Sequence, residues 1–293
     1  MLFTNLQEGR FAKDPAVVRF HGQYFLYYSM RHEDGRFGVG IAVSSDMETW
    51  ETVSEVPQST PCEKNGIAAP GAIVLGGKVH LFYQTYGNGK KDAICHACST
   101  DGLTFVKNPE NPVFAPPESF CCGRAIDADV ILFKGRLLLY FATRDHAFRI
   151  QKVSGAWADP SSAFGREDWH LLAEQSLLVP ELSWEGECIE APATIEHDGR
   201  LYMFYGGSYN CTPQQIGCAV SDDGVFFRRI SNTPFLPCGA PDSWNSSESG
   251  HPYAFRDEDG KAYLFYQGSA DMGQTWYLSK AEIALRNGTP VLL

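Results

Sequence analysis

The stretch Asp14-Pro-Ala-Val-Val-Arg-Phe-His-Gly22, followed directly by Gln23-Tyr-Phe-Leu-Tyr-Tyr28, contains the unit from which the chain is built. An apolar segment leads into a tight turn that contains glycine, and a segment rich in aromatic residues leaves that turn. Glycine allows a positive φ in such a turn, and Tyr, Phe and Leu favour half-buried strand positions. The stretch is therefore predicted to be a β-hairpin.

This unit recurs four more times, and each copy is again followed by an aromatic segment. The copies open with Ala69-Pro-Gly-Ala-Ile-Val-Leu-Gly-Gly77, Asp127-Ala-Asp-Val-Ile-Leu-Phe-Lys-Gly135, Glu190-Ala-Pro-Ala-Thr-Ile-Glu-His-Asp-Gly199 and His251-Pro-Tyr-Ala-Phe-Arg-Asp-Glu-Asp-Gly260. A second element recurs at residues 40–50, 97–105 and 217–227, where a strand of small residues ends in a Ser/Thr/Asp turn before an aromatic residue. Four strands in each of five units predict an all-β fold, a five-bladed β-propeller that forms one domain over residues 1–293.

Charge and composition argue against several classes of protein. The chain has 24 Lys and Arg against 35 Asp and Glu, so it lacks the basic surface expected of a nucleic-acid-binding protein. No apolar run reaches the roughly 18 residues of a membrane span, so no membrane partner is expected. The first residues show no basic segment followed by an apolar run, and a cytoplasmic location is expected. The sequence gives no indication of oligomeric state.

The nine cysteines are expected to be reduced and mostly buried, because an odd number cannot all pair. Cys95 and Cys98 have the spacing of some metal-binding pairs. They fall on a predicted strand, however, where residues three apart point to opposite faces and cannot bind one ion.

Five residues open the inner strands of the predicted blades and are expected to meet at one end of the propeller axis: Asp14, Ala69, Asp127, Glu190 and His251. A single acidic residue at a strand start also fits a turn or a cap. Three carboxylates in the same position of the repeat would repel one another unless they had a use. They could bind a cation, or they could catalyse glycoside hydrolysis, which needs one ionised and one protonated carboxyl group.

The sequence resembles glycoside hydrolase family 43, the five-bladed arabinofuranosidases and xylosidases, over essentially its whole length. The dipeptides and tripeptides that carry the resemblance are Asp14-Pro15, Ala69-Pro70, Ile126-Asp127, Glu190-Ala191-Pro192 and Gly250-His251. The resemblance implies that Asp14 is the general base, that Glu190 is the general acid, and that Asp127 keeps the acid protonated and in place. It also implies inversion of configuration, with acid and base roughly 6.5–9.5 Å apart.

The resemblance implies no cofactor for the reaction itself. His251 matches a histidine that in many members faces an axial Ca²⁺ or water cluster, so a structural Ca²⁺ on the propeller axis is an expectation. Two departures from the family pattern are Ala191 in place of Gly and Ala128 in place of Pro. The second leaves Asp129 as a rival to Asp127, although the distance from the turn glycine, equal to that of Asp14, favours Asp127.

Several other residues are candidates for contacts with an oligosaccharide substrate. Ala69 and His251 open inner strands beside the acids, and Tyr209 and Asn210 follow the second strand of blade four, after Gly206-Gly-Ser. Arg144 lies where relatives often place an arginine that binds sugar, although an ion pair with Asp145 is an equal alternative. Trp184 could offer an aromatic platform to a sugar face. Glu185 and Glu187 could reach the pocket but fit a rim loop better.

Other readings stay open at this point. A β-fructofuranosidase of glycoside hydrolase family 32 shares the propeller and three acids, but the chain has no room for that family's C-terminal sandwich. A phosphorylase would need a cluster of cations, to which Arg124 and Arg144 could contribute. A propeller that binds sugars without catalysis is the alternative outside enzymes. The preferred prediction is exo-acting removal of terminal α-L-arabinofuranose from short plant-derived oligosaccharides, with xylose and galactofuranose next.

Overall fold

The computed structural model describes residues 1–6, 9–286 and 288–293, and its regular structure is almost entirely β-sheet. Twenty strands form five four-stranded sheets: β1 Lys13–Phe20, β2 Gln23–Arg31, β3 Phe37–Ser44, β4 Glu51–Val56; β5 Ile67–Leu75, β6 Lys78–Thr85, β7 Ile94–Ser99, β8 Val106–Lys107; β9 Ile126–Phe133, β10 Arg136–Arg144, β11 Gln151–Ala158, β12 His170–Leu171; β13 Ile189–His197, β14 Arg200–Gly207, β15 Gln215–Ser221, β16 Arg228–Arg229; β17 Glu248–Arg256, β18 Ala262–Ser269, β19 Tyr277–Arg286, β20 Thr289–Leu292. Four short 3-10 helices lie in the loops, at Pro61–Glu63, Gly89–Lys91, Arg166–Asp168 and Ser183–Glu185. None of the described helices could cross a bilayer.

Each sheet is an antiparallel meander in chain order, and the five sheets are the blades of a propeller, numbered here one to five along the chain. The innermost strands are β1, β5, β9, β13 and β17. Each packs against the inner strands of its two neighbours, and β17 packs back against β1. The predicted five-bladed propeller is confirmed, and the five inner strands contain the residues that the repeat placed there.

The aromatic residues of the second strands form the core between blades. Tyr27, Tyr83, Tyr140 and Tyr205 are fully buried at matching positions of β2, β6, β10 and β14. Their hydroxyl groups still find partners. Tyr27 and Tyr140 donate to backbone carbonyl oxygens of turns in the following blade, at 2.9 and 2.7 Å. Buried hydroxyls of this kind fix the packing of neighbouring blades, because an unpaired one would be costly.

Glu185 has a structural role in the wall of blade four. Its carboxylate caps its own 3-10 turn by accepting from the backbone of Glu181 and Leu182. It also accepts from Tyr205 at 2.7 Å and from Arg229 at 2.8 Å. Glu185 is fully buried in these contacts and does not line the cavity described below, so it is not a pocket residue.

The ring is also closed by the N-terminal segment. The backbone of Phe3 forms two hydrogen bonds of 2.8 Å with Leu278 of β19, one in each direction. The ring of Phe3 is buried and meets Tyr28 of blade one edge to face, with 5.1 Å between the ring centroids. The start of the chain therefore joins blade five to blade one.

Candidate active site

A bulge near the start of every inner strand sets the geometry of the site. The strand register skips at this point in all five blades. One residue of each bulge adopts the left-handed conformation: Asp14 (φ 51°), Ala69 (46°), Asp127 (55°), Ala191 (51°) and His251 (43°). This conformation is unusual for residues other than glycine, and bulges often aim side chains at functional sites.

Glu190 does not occupy the left-handed position, which is a correction to the repeat as predicted. Ala191 takes that position in blade four, and Glu190 stands one residue earlier, where blade one has Lys13. The spacing contained this signal, since Gly199 lies eight residues after Ala191, as Gly22 lies eight after Asp14. Glu190 nevertheless faces the same cavity as the two aspartates.

The inner strands and their loops enclose a cavity of about 230 Å³ at this end of the axis. The three acids predicted to be catalytic all line it, as do the predicted contacts Ala69, Arg144, Tyr209 and His251. The full lining is Lys13, Asp14, Phe37, Ala68, Ala69, Gln84, Tyr86, Arg124, Ile126, Asp127, Arg144, Gln151, Glu190, Tyr209, Asn210 and His251.

Side chains from the preceding blade hold the bulged backbone in place. The amide of Asp14 donates to Gln267 Oε1 of blade five at 3.1 Å, and the amide of Asp127 donates to Gln84 Oε1 of blade two at 2.8 Å. The amides of Ala69 and His251 are bonded in the same way. These bonds satisfy amides that the bulges remove from the strand ladder, and they fix the left-handed residues.

The Glu190 carboxylate is held by two glutamine side chains. Gln214 Nε2 donates to its Oε1 at 2.6 Å, and Gln151 Nε2 of blade three donates to its Oε2. The same Gln214 accepts the amide of His251, so one side chain connects the acid to blade five. Both oxygens of Glu190 therefore have fixed positions, as a general acid requires.

Asp127 is the acid whose protonation is most perturbed. Burial and the negative charges of Glu190 and Asp14 raise its pKa to about 7, although His251 and Arg124 oppose this rise. Among the described residues its Oδ2 atom is buried without a hydrogen-bond partner. The three-acid cluster can therefore hold a proton on Asp127 close to neutral pH.

Asp14 faces His251, whose Nδ1 lies 3.0 Å from Asp14 Oδ1. This contact orients the carboxylate predicted to be the base. His251 thus lies in the cavity beside the acids. Within the described ranges no three His, Cys, Asp or Glu residues are grouped to bind a metal ion. The structural Ca²⁺ that the resemblance implies on the propeller axis stays a prediction.

Asp129 lies on the same strand as Asp127 but does not line the cavity. Its Oδ2 accepts from the amide and the hydroxyl of Thr194, at 3.0 and 2.5 Å. Burial raises the pKa of Asp129 to about 7 despite these bonds. The structure thus places Asp127 in the cavity and uses Asp129 to join blades three and four.

Three cations line the same cavity. Burial alone would lower the pKa of Lys13, but Asp14, Glu248 and Glu190 outweigh it and raise that pKa. Arg124 and Arg144 also line the cavity, and both contact Gln151. The sequence suggested only part of such a cluster, and Lys13 was missed although it directly precedes Asp14.

Arg144 is not paired with Asp145. The Asp145 carboxylate instead accepts from the backbone amides of Arg149 and Ile150. The Arg144 guanidinium stacks over Phe148 and Tyr209, with 4.6 and 5.2 Å to the ring centroids. Arg144 and Tyr209 therefore both line the cavity, and their contact with a substrate stays a prediction.

Trp184 does not lie where the platform was expected. Its ring stacks on Tyr205, its Nε1 donates to the carbonyl of Asn232 at 3.1 Å, and it does not line the cavity. Glu187 is exposed and lies 3.5 Å from Arg149. The aromatic wall of the cavity is instead formed by Phe37 and Tyr86, which stack with their centroids 4.3 Å apart.

The glutamines were the main residues that the sequence interpretation missed. Gln84 and Gln267 each follow the same aromatic pattern, Leu-Phe-Tyr-Gln, in blades two and five, which was a usable signal. Gln151 and Gln214 have no matching pattern. They act across the joint between blades, which a single repeat does not display.

Two proteins of known activity are similar to this chain in sequence. A 1,2-beta-oligomannan phosphorylase from Thermoanaerobacter sp. (strain X514) is 27% identical over 216 residues, 69% of this chain and 66% of that protein. Xylosidase/arabinosidase 43A from Humicola insolens is 26% identical over 155 residues, 48% of this chain and 43% of that protein. The match thus spans less than two thirds of the length of either relative.

A thermostable family-43 glycoside hydrolase of known structure has the same fold. It superposes with a TM-score of 0.79 over 96% of this chain and 92% of that one, at 20% identity. The sequence profile of the glycosyl hydrolases family 43 matches residues 8–286. With its five blades and its cavity of three acids, the chain belongs to glycosyl hydrolase family 43.

Proposed function

We propose that the protein is an inverting, exo-acting glycoside hydrolase that removes a terminal pentose, foremost α-L-arabinofuranose, from plant-derived oligosaccharides. The observation that carries this proposal is the meeting of Asp14, Asp127 and Glu190 in one small cavity. Glycoside hydrolysis by inversion uses an ionised carboxylate to activate water and a protonated one to release the leaving group.

In this proposal Asp14 is the base. His251 orients its carboxylate, which accepts a proton from the attacking water. Glu190 gives a proton to the leaving oxygen, and its position is fixed by Gln151 and Gln214. Burial and the neighbouring carboxylates raise the pKa of Asp127 to about 7, so the three acids together can retain a proton near neutral pH.

The size of the cavity supports action at a chain end. Its volume of about 230 Å³ is below the roughly 300–1,000 Å³ typical of pockets for drug-sized ligands. A space of this size suits one sugar unit rather than a run of units. The xylosidase/arabinosidase relative supports a pentose, and β-D-xylosides and β-D-galactofuranosides are the next substrates to consider, followed by β-fructofuranosides.

The test is hydrolysis of a panel of p-nitrophenyl glycosides, led by the α-L-arabinofuranoside and the β-D-xyloside. Asp14→Ala should lower kcat/KM by about 10²–10⁴-fold, since it removes the base. Glu190→Ala should be milder on these activated substrates and more severe on an unactivated arabinooligosaccharide, because only the latter needs a proton on its leaving oxygen.

Glu187→Ala is the matched control for Glu190→Ala, because Glu187 is an exposed glutamate three residues away. It should retain full activity. A wild-type protein that binds sugars but cleaves none of the panel would contradict the proposal and favour a sugar-binding propeller without catalysis.

Phosphorolysis is the second candidate function. One relative is a phosphorylase, and the cluster of Lys13, Arg124 and Arg144 in the cavity favours it. Asp14, which His251 orients, favours water as the attacking nucleophile, because phosphate can attack without a general base. Adding inorganic phosphate to the panel separates the two, because phosphorolysis releases a sugar phosphate and depends on phosphate concentration.

A further inference from the structure

Two half-buried arginines at one edge of the cavity, Arg124 and Arg144, have few anionic contacts. Within the described part of the chain, no carboxylate oxygen forms an ion pair with Arg144. Arg124 has only Asp92, with 3.8 Å from its Nη2 to Asp92 Oδ2, which is beyond hydrogen-bond distance. The Nε atom of Arg124 is buried and has no hydrogen-bond partner among the described residues.

These two like charges converge on one neutral acceptor. Gln151 Oε1 accepts from Arg144 Nε at 2.7 Å and from Arg124 Nη1 at 3.4 Å. Both guanidinium groups also lie over the ring of Phe148, at 4.6 and 5.7 Å. Holding two cations together in a partly buried wall is unfavourable unless an anion joins them. Arginine pairs of this kind suit the two oxygens of a carboxylate or those of a phosphate.

The position of the pair relative to the acids indicates which molecule carries the anion. Gln151 accepts from both arginines through its oxygen and donates to Glu190 through its nitrogen. The arginines are therefore one amide group away from the proposed general acid. In an inverting site the acid stands beside the leaving group, and the nucleophile stands beside the base on the opposite face.

We propose that Arg124 and Arg144 form a subsite for the carboxylate of an acidic sugar, a uronate unit that neighbours the glycosidic bond. Its assignment to the leaving-group side rests on the proposed function; the binding of an oxyanion by the arginines does not. With this subsite, the substrate would be a pentose attached to an acidic oligosaccharide.

Calorimetric titration at low ionic strength tests the subsite without turnover. The probes are D-glucuronate and D-galacturonate, with D-glucose and D-galactose as neutral counterparts, and inorganic phosphate as a separate arm. At least one uronate should bind tenfold or more tightly than its neutral counterpart. Arg144→Met and Arg124→Met should each abolish this preference.

Arg149→Met is the matched control, since Arg149 lies in the loop that follows Arg144 but is exposed and paired with Glu187. It should keep the preference. Unliganded melting curves establish that the variants fold. Equal binding of uronates and neutral sugars, or a preference that survives both cavity substitutions, would overturn the proposal. Binding of phosphate alone would also overturn the acidic-sugar assignment and leave phosphate as the oxyanion.

The two proposals can fail separately. Uronate binding that depends on Arg144, together with no cleavage of any glycoside, would support the subsite and contradict the hydrolase. Cleavage of neutral arabinosides together with no preference for uronates would support the hydrolase and contradict the subsite.

Discussion

At the scale of single residues, the burial of charged groups determines the protonation of the cavity side chains. Asp127 and Lys13 are the clearest cases, because one is an acid that burial makes easier to protonate and the other is a base that neighbouring carboxylates keep charged. Asp127 is placed in the cavity at some expense of stability, as is common where catalytic groups are crowded together, whereas Lys13 offsets the charge of its acidic neighbours.

We predict that Asp127→Asn stabilises the protein while it lowers activity. The folded pKa of about 7 lies above the unfolded value of 3.8, so the folded state binds more protons between these values, and stability falls as pH rises through that window. Asparagine does not ionise, so the variant does not lose this stability as the pH rises. The gain in unfolding free energy should be about 1–4 kcal/mol at pH 8 and small at pH 4. Urea unfolding at both pH values measures it, and a gain independent of pH would contradict the raised pKa.

Lys13→Met should have the opposite effect on stability. Without the ammonium group, the buried Glu248 and the cavity acids lose a compensating charge, and Asn210, whose amide can bridge Lys13 Nζ (2.9 Å) and Glu248 Oε1 (3.2 Å), loses a partner. We expect a loss of about 3–5 kcal/mol at pH 8. Thermal unfolding checks this against Lys261→Met, an exposed lysine whose removal should cost less than about 1 kcal/mol. Similar losses in both variants would refute the argument.

At the scale of elements, the bulged inner strand is what converts a repeat into a site. The repeat itself was predictable, because turn glycines such as Gly22 and buried aromatics such as Tyr27 show in the sequence. The approximate location of Asp14, Asp127 and Glu190 followed from it. The one-residue offset of Glu190 was missed although the spacing to Gly199 carried it, because a bulge changes which residue faces the axis without changing the apolar pattern. Trp184 was misplaced because its packing against Gly207 and Gly217 depends on contacts distant in sequence.

Gly71 shows how closely neighbouring inner strands approach. A Cβ atom at this position of β5 would lie 2.1 Å from the carbonyl oxygen of Ala128 in β9, which is backbone and cannot rotate away. Gly71→Ala should therefore lower the unfolding free energy by about 3 kcal/mol. It should also impair activity, since β9 carries Asp127.

Gly77→Ala is the control for Gly71→Ala. It lies in the same hairpin with open space around it, and only its φ of +73° opposes a side chain, at about 1–2 kcal/mol. Urea unfolding of both variants is the measurement. Equal stability of the two would mean that β5 and β9 do not approach so closely.

At the scale of the whole molecule, the blades form a ring that several independent contacts close. The inner strands β17 and β1 pack together at the axis, while the N-terminal segment joins β19 farther out. The outer joint involves residues that the repeat does not contain, so the sequence pattern could not reveal it.

Phe3→Ala tests this outer joint. The buried ring packs against Tyr28 of blade one, while its backbone bonds to blade five. Loss of the side chain should lower the unfolding free energy by about 3–5 kcal/mol. Leu6→Ala, at a residue 74% exposed, should change it by less than about 0.5 kcal/mol. Chemical denaturation compares the two, and an unaffected Phe3→Ala would show that the inner strands alone close the ring.

The glutamines that support the bulges have a consequence for how such a protein can change. Gln267 of blade five holds Asp14 of blade one, Gln84 of blade two holds Asp127 of blade three, and Gln151 of blade three holds Glu190 of blade four. Each of these three bonds crosses from one blade to the next, and only Glu190 has a further glutamine, Gln214, from its own blade among the described residues. One of the acid-bearing blades moved alone into another propeller would bring its carboxylate and leave at least part of the support behind. The smallest unit of this active site that could be transferred with its supporting side chains is therefore a pair of adjacent blades.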